Sequence, residues 1–152
     1  MFTPPTHAEL KIGAGWLLEN GTLKFALAGQ YSDRPLLSVE EFSLGGTRFG
    51  RAFDFNELTG DHGIAAGIEV AYRLGNLNHG PQRIELFGYI DGGKVFEAGS
   101  PPGAQSRSLM SVGLGNRFSI GGISFSAEAG VPIKSSGKNR SVRGFFSAYR
   151  SF

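Results

Sequence analysis

Apolar and polar residues alternate with a period of two along most of the chain, and this alternation predicts β-strands. From Ala8 to Leu18 the even positions are mostly apolar, whereas Glu9 and Lys11 lie at odd positions. Because successive side chains of a strand point to opposite faces, each such segment has one apolar face and one small or polar face. The pattern predicts seven strands and no helix, with the strands at 8–18, 22–31, 64–74, 83–91, 110–120, 123–131 and 143–152.

The connections between these strands alternate between short and long. Asn20-Gly21 predicts a tight hairpin, because both residues tolerate positive φ. Short connections lie at 19–21, 75–81 and 121–122, long ones at 33–62 and 95–107, and one of medium length at 134–142. This regularity is typical of a barrel whose two rims face the periplasm and the exterior.

The charged residues of the strands share a face with many small residues. These charged residues are Glu9, Lys11, Lys24, Glu69, Arg73, Arg83, Glu85, Asp91, Arg117 and Glu128. Small residues with sparse charge fit a crowded polar lumen, and the opposite, almost charge-free face fits lipid. The predicted fold class is therefore all-β, an antiparallel transmembrane β-barrel portion of about seven strands. A soluble sandwich or barrel is the alternative.

Composition restricts the function classes further. Of the 152 residues 24 are Gly and none is Cys, which excludes disulfide scaffolds, thiolate metal sites and thiol nucleophiles. The net charge of +2 does not indicate a nucleic-acid partner. No apolar run is long enough for a membrane-spanning helix, and residues 1–5 lack a secretory signal. These absences leave two interpretations, a soluble cytoplasmic protein or a fragment whose true N-terminus lies upstream.

Candidate catalytic chemistry is sparse. The three His residues lie far apart in the sequence, without metal-ligand spacing. Asp61 and His62 are adjacent, so their side chains would point to opposite faces of a strand. Gly45-Gly46 lacks the Lys and the following helix of a phosphate-binding loop. The sequence therefore predicts no enzyme activity, no metal and no cofactor.

The long connection at 33–62 carries three motifs, which lie at 41–46 (EFSLGG), 50–54 (GRAFD) and 59–63 (TGDHG). Together they resemble the signature of two-partner-secretion transporters, the TpsB or ShlB/FhaC/HecB family of a superfamily that includes the BamA insertase. In that family the first motif starts the sixth extracellular loop, the second forms its tip and the third leads into the twelfth strand. The resemblance assigns the two ends of the loop to Phe42, Leu44, Gly45, Gly46, Gly60, Asp61 and Gly63, and its tip to Gly50, Arg51, Ala52 and Phe53.

Further matches follow in order along the chain. Residues 87–95 resemble the family's thirteenth strand, where an aromatic-x-D-x-G element places Asp91 in the lumen. Residues 111–115 and 130–133 resemble elements of strands fourteen to sixteen. The resemblance thus covers residues 8–152 and implies strands ten to sixteen of a sixteen-stranded barrel.

This resemblance implies that residues 1–152 are one C-terminal barrel segment of a longer protein. The signal peptide, the periplasmic POTRA domains that receive substrate and the first nine strands would lie upstream, and Met1 would be an internal, misassigned or engineered start. Phe146 and the terminal Phe152 would form the C-terminal insertion signal, although Arg150 interrupts the apolar positions counted back from Phe152.

The family resemblance also implies that the loop folds into the barrel and that Arg51 pairs with Asp91. An Arg in a confined lumen needs a charged, bidentate partner. The alternative is a solvated Arg51 in a mobile loop, with Asp91 capping a turn. Ala52 stands where the family usually has Gly, so the tip must avoid positive φ there or be strained. Residues 141–145 mimic the tip motif but do not follow Leu-Gly-Gly, and are interpreted as a chance likeness.

The function implied is an outer-membrane pore that translocates an unfolded exoprotein without nucleotide. A BamA-like assembly factor is the alternative, and a small adhesion barrel is disfavoured because bacterial single-chain barrels have even strand numbers. The implied partners are a TpsA-like exoprotein, outer-membrane lipid or lipopolysaccharide, and the barrel assembly machinery, with no nucleic acid. The implied location is the outer membrane of a Gram-negative bacterium. A basic cluster of Lys134, Lys138, Arg140 and Arg143 is interpreted as a solvated rim or a contact for lipopolysaccharide phosphates.

Overall fold

The structure, a computed structural model, describes residues 7–74, 83–99, 106–135 and 141–150 and is all-β. Its nine strands are β1 (His7–Leu18), β2 (Gly21–Ser32), β3 (Phe42–Leu44), β4 (Leu58–Gly60), β5 (His62–Leu74), β6 (Arg83–Phe96), β7 (Arg107–Ile120), β8 (Ile123–Ser135) and β9 (Arg143–Arg150). The described residues include no helix that could cross a membrane.

Seven of these strands form one antiparallel sheet in the order β1-β2-β5-β6-β7-β8-β9. They match the seven strands predicted from the alternation, and the predicted fold class is confirmed. The remaining two, β3 and β4, pair with each other inside the connection at 33–62 and were not predicted. β6 runs to Phe96 and β8 to Ser135, so both are longer than the alternation indicated. The predicted turn at 75–81 lies outside the described residues.

Burial confirms the alternation of the two faces. On β5, Ala65, Glu69 and Ala71 are buried, whereas Ile64 and Val70 are about half exposed. The buried set lies on the face that the sequence assigned to the lumen, here called the inner face. The apolar set lies on the opposite, outer face, where no part of the described chain covers it. This inversion, with apolar side chains outside and charged ones inside, is what lipid surroundings require.

The hydrophobic core lies between the sheet and the connection at 33–61, which folds back over the inner face and is here called the inner loop. The inner loop contributes Phe42, Leu44, Phe49, Ala52, Phe53 and Leu58, and the sheet contributes Ala28, Ala65, Val95 and Leu109. Of the two faces of the sheet, the inner one therefore carries the packed core, and the inner loop is an integral part of it.

Two irregularities mark the C-terminal strands. The register between β7 and β8 shifts at Met110/Ser111, which leaves Ile133 as an extra residue beside Pro132. A bulge suits this place because proline cannot donate a ladder hydrogen bond. On β9, Phe146 and Arg150 share the outer face, opposite Ala127 and Ile123 of β8. Arg150 thus interrupts the apolar face as the sequence indicated, while Phe152 lies outside the described residues.

Candidate functional site

The two ends of the inner loop are fixed by a buried carboxylate and by a close approach to a glycine. The side chain of Asp61 accepts hydrogen bonds from the backbone N–H of Leu36 at 2.5 Å and of Ala98 at 2.8 Å. A Cβ atom on Gly63 would overlap the ring of Phe42, so only glycine lets this aromatic ring lie against β5. The Gly-Asp-x-Gly element therefore joins the start of the loop, its end and the segment after β6.

The Leu-Gly-Gly element forms the turn that leads to the tip. Gly45 and Gly46 have φ values of 105° and 94°, which favour glycine because a Cβ atom clashes in this region. The N–H of Gly45 donates to the carbonyl of Phe49 at 2.8 Å, and the N–H of Phe53 donates to that of Gly50 at 2.9 Å. These bonds close the tip into a compact turn that can rest on the sheet.

Asp91 of β6 receives this tip. Its carboxylate, with only 1% of the side chain exposed, accepts hydrogen bonds from the N–H of Gly50 at 2.7 Å and of Arg51 at 3.3 Å. The hydroxyl of Ser111 on β7 donates to the same oxygen at 2.5 Å. Asp91 therefore binds the backbone of the tip as well as its charge, because backbone N–H groups are strong donors to a buried carboxylate.

The guanidinium of Arg51 lies among three carboxylates and a tyrosine ring. Its Nη1 donates to Glu69 at 2.9 Å, and its Nε lies 3.3 Å from Asp91 Oδ2 without the alignment of a hydrogen bond. Oε2 of Glu128 lies 3.8 Å from the same Nη1, and the ring centroid of Tyr89 lies 4.1 Å from Cζ of Arg51. The structure thus places Arg51 beside Asp91, but the contact is shared among several groups instead of bidentate to one.

Glu69 connects this tip to the wall of the sheet. Besides Arg51 it binds Arg117 at 2.9 Å and Lys24 at 3.2 Å, and only 6% of its side chain is exposed. Arg117 also pairs with Glu85 at 2.9 Å. The sequence placed these charges on one face, but it did not predict their pairing. The strand register, which sets Lys24 opposite Glu69 and Glu85 opposite Arg117, is the information that was missing.

A second ion pair links the inner loop to the last strand. Arg143 of β9 binds Asp54 through both guanidinium nitrogens, with the Nη2–Oδ2 distance at 2.9 Å. The hydrogen bond from Arg143 holds the pKa of Asp54 below its ordinary value. Residues 141–145, interpreted from the sequence as a chance likeness to the tip, therefore contribute a contact to the loop.

Ala52 fits the tip without strain. Among the described non-glycine residues only Asn56 has positive φ, so Ala52 avoids the conformation that would favour glycine. Its side chain is buried and lies close to Gly130 of β8, where an added Cβ atom would come within 3.4 Å of it. Phe53 next to it is also buried. The departure from the family pattern at this position is accommodated by the tip.

Of the residues predicted from the sequence as functional, most fall into two groups in the structure, and Phe146 lies apart from both. The tip group, which meets on the inner face, is Gly50, Arg51, Ala52, Phe53 and Asp91. The group at the ends of the loop and in the turn before the tip is Phe42, Leu44, Gly45, Gly46, Gly60, Asp61 and Gly63. Phe146 lies apart from both, exposed on the edge strand β9.

The family model for haemolysin secretion/activation protein ShlB/FhaC/HecB matches residues 14–118, more than half of the chain. The chain belongs to this family. Its members are outer-membrane β-barrel proteins of secretion, and the resemblance stated from the motifs is confirmed.

A solved structure supports the same assignment. CdiB from Acinetobacter baumannii is 26% identical, with a TM-score of 0.68, and the match covers 96% of this chain. It covers 27% of the CdiB chain, so the present chain spans about a quarter of that protein. No curated protein sequence matches.

Proposed function

We propose that this chain forms the C-terminal part of the barrel of a two-partner secretion transporter in the outer membrane of a Gram-negative bacterium. The transporter moves an unfolded exoprotein from the periplasm to the cell exterior. Membership of the secretion family and the all-β sheet with an apolar outer face support this proposal. The remaining strands and the periplasmic domains that receive the exoprotein belong to the rest of such a transporter.

The main support for the proposal is that Arg51 holds the inner loop on the inner face of the sheet. A loop that packs in the lumen restricts the pore, so it must be both anchored and able to yield when a polypeptide passes. The Arg51 cluster is the polar part of this anchor, beside the apolar contacts of Phe49 and Phe53, and water or a passing chain can replace its polar contacts. Energy for export comes from folding of the exoprotein outside, since the family resemblance implies transport without nucleotide.

Assembly requires a further partner. Phe146 on the outer face of β9, together with Phe152, is the signal that the barrel assembly machinery reads. The strand that carries it is the edge of the sheet, paired only with β8 among the described strands.

Secretion of the exoprotein tests the proposal. Arg51→Ala and Asp91→Ala are introduced into the complete polypeptide that contains this chain, and the exoprotein in the medium is quantified. Breaking a buried ion pair costs about 3–5 kcal/mol, so we expect secretion to fall in both variants. The barrel itself should still fold, so unheated protein should still migrate differently from heated protein in an SDS gel. Arg48→Ala is the matched control, because it removes the same charge from an exposed position three residues away. Unchanged secretion in both test variants would refute the role of the tip.

A further inference from the structure

A groove of about 500 Å³ lies on the outer face, near the end of the strands where the inner loop begins. Its apolar lining comes from four adjacent strands and includes Phe25, Leu27, Ile64, Ile68, Ile90 and Met110. In the middle of the groove the side chains are small, since Ala66 of β5 lies opposite Gly92 of β6. The groove is therefore a depression in the apolar surface with larger side chains around it.

Close strand approach keeps this depression open. A Cβ atom on Gly92 would come within 2.9 Å of the Met110 Cα atom and 2.5 Å of the Leu109 carbonyl oxygen. Any larger residue at position 92 would push β6 away from β7. Glycine here is thus required by the backbone, and the shallow centre of the groove follows from the packing of the sheet.

Two lysines lie at the end of the groove nearest the inner loop. Lys94 lies two positions beyond Gly92 on the outer face, and Lys134 lies opposite Met110. Both are exposed, and within the described part of the chain neither has a carboxylate in ion-pair range. Lys94 lies 5.7 Å from the ring centroid of Phe96.

The charge pattern of the outer face is asymmetric. By strand register, the charged residues on this face of the described strands are Lys94 and Lys134 at the loop end and Arg150 at the other. Two positive charges beside an apolar groove complement an amphiphile with an anionic head and acyl chains. In a secretion barrel the loop end is the exterior rim, so the lipid available there belongs to the outer leaflet.

We propose that this groove binds the phosphorylated glycolipid of the outer leaflet, lipid A, with an acyl chain against Ala66 and a phosphate between Lys94 and Lys134. This inference rests on the outer-membrane placement in the proposed function. Lysine is a suitable phosphate ligand because its ammonium presents three donors on a flexible stem. The site gives the chain a fixed lipid contact on the strands that carry Asp91 and Glu69 on their other face.

Lipid retention tests the site. The complete polypeptide is purified, delipidated and titrated with bisphosphorylated lipid A or with phosphatidylethanolamine, and bound lipid is counted by native mass spectrometry. We expect lipid A to bind in preference to phosphatidylethanolamine. The double variant Lys94→Gln/Lys134→Gln should weaken lipid A binding roughly thirtyfold, as expected for two lysines near an anionic lipid surface.

A groove-filling variant separates the apolar contact from the charge. Ala66→Phe should weaken lipid A binding without a change of charge, whereas Ala129→Phe, at an exposed outer-face position away from the groove, should leave it unchanged. Equal binding of the two lipids, or wild-type binding by the double variant and Ala66→Phe, would overturn the proposal.

The outcomes also separate this inference from the proposed function. If the groove variants lose lipid A but secrete normally, the site stands without a role in transport. If Arg51→Ala secretes normally while lipid A binding follows the groove variants, the transport mechanism fails and the lipid site stands. A complete polypeptide that fractionates away from the outer membrane would overturn both.

Discussion

The anchoring of the inner loop by Asp91 allows a quantitative prediction. Asp91→Ala removes the acceptor for the N–H groups of Gly50 and Arg51 and one of the carboxylates near the Arg51 guanidinium. Hydrogen bonds to charged groups contribute about 1.5–3 kcal/mol each. Arg51 keeps Glu69 and Glu128, and the variant no longer buries a carboxylate, so part of this loss is offset. We expect a net loss of about 3 kcal/mol from the docked loop.

A loss of this size shifts the ratio of docked to undocked loop roughly 100-fold. This chain contains no Cys. Once any Cys in the rest of the complete polypeptide is replaced by Ser, a single introduced thiol reports on the loop. Ala52→Cys is suitable because the side chain of Ala52 is buried against the sheet and the change adds a single heavy atom, the sulfur. When docking re-forms faster than labelling, the rate of reaction with a soluble maleimide follows the undocked fraction.

We therefore expect labelling of Ala52→Cys to be about 100-fold faster with Asp91→Ala than without it. Asp91→Asn keeps a carbonyl acceptor but loses the charge, so its rate should lie between the two. Thr47→Cys, exposed on the same loop, controls for thiol reactivity and should react equally in all backgrounds. If Ala52→Cys reacts as slowly with Asp91→Ala as without it, Asp91 does not hold the loop.

Two further predictions address other contacts of the loop. Gly63→Ala places a methyl group into the ring of Phe42 and should lower barrel stability by about 1–3 kcal/mol. The measurement is the temperature above which the protein no longer migrates as a folded barrel in an SDS gel. A second change, Phe42→Ala, should reverse part of the effect. Because the hydrogen bond from Arg143 lowers the pKa of Asp54, their contact is complete above the ordinary pKa of an Asp and is lost as pH falls through the lowered pKa. A carboxyl titration by NMR should show a midpoint below the ordinary value of an Asp, and Arg143→Ala should return the midpoint toward that value.

The strands and their faces were predictable because a period of two is a local property of the sequence. Each segment of five or more residues shows by itself which side chains share a face. The structure agrees even at Arg150, which the alternation placed among apolar neighbours on the outer face. Strand ends were less well predicted, since β6 continues beyond Asp91 through Gly92 and Gly93, residues that read as a turn when neighbouring strands are unknown.

The site was predictable only as far as its motifs. Arg51 and Asp91 were named from the resemblance, whereas Glu69, Tyr89 and Ser111 were not, although they contact the same two residues. Their roles depend on strand register and on the position of a loop folded back over the sheet. Neither is encoded in residue spacing along one segment. The short strands β3 and β4 were missed for the same reason, because three residues show no period.

The charges of the inner face explain why an arginine stands at the tip. Three carboxylates lie 2.9–3.8 Å from the Arg51 guanidinium, those of Glu69, Asp91 and Glu128. The sheet cations that bind this group are Lys24 and Arg117, both through Glu69. Such an acidic excess is costly in a confined space unless a further cation enters it. Arg51 supplies that charge from the loop, so docking stabilises the wall as much as the wall stabilises the loop. An uncharged tip would leave the carboxylates repelling one another, which is why a change in the wall and a change at the tip should impair the same docking step.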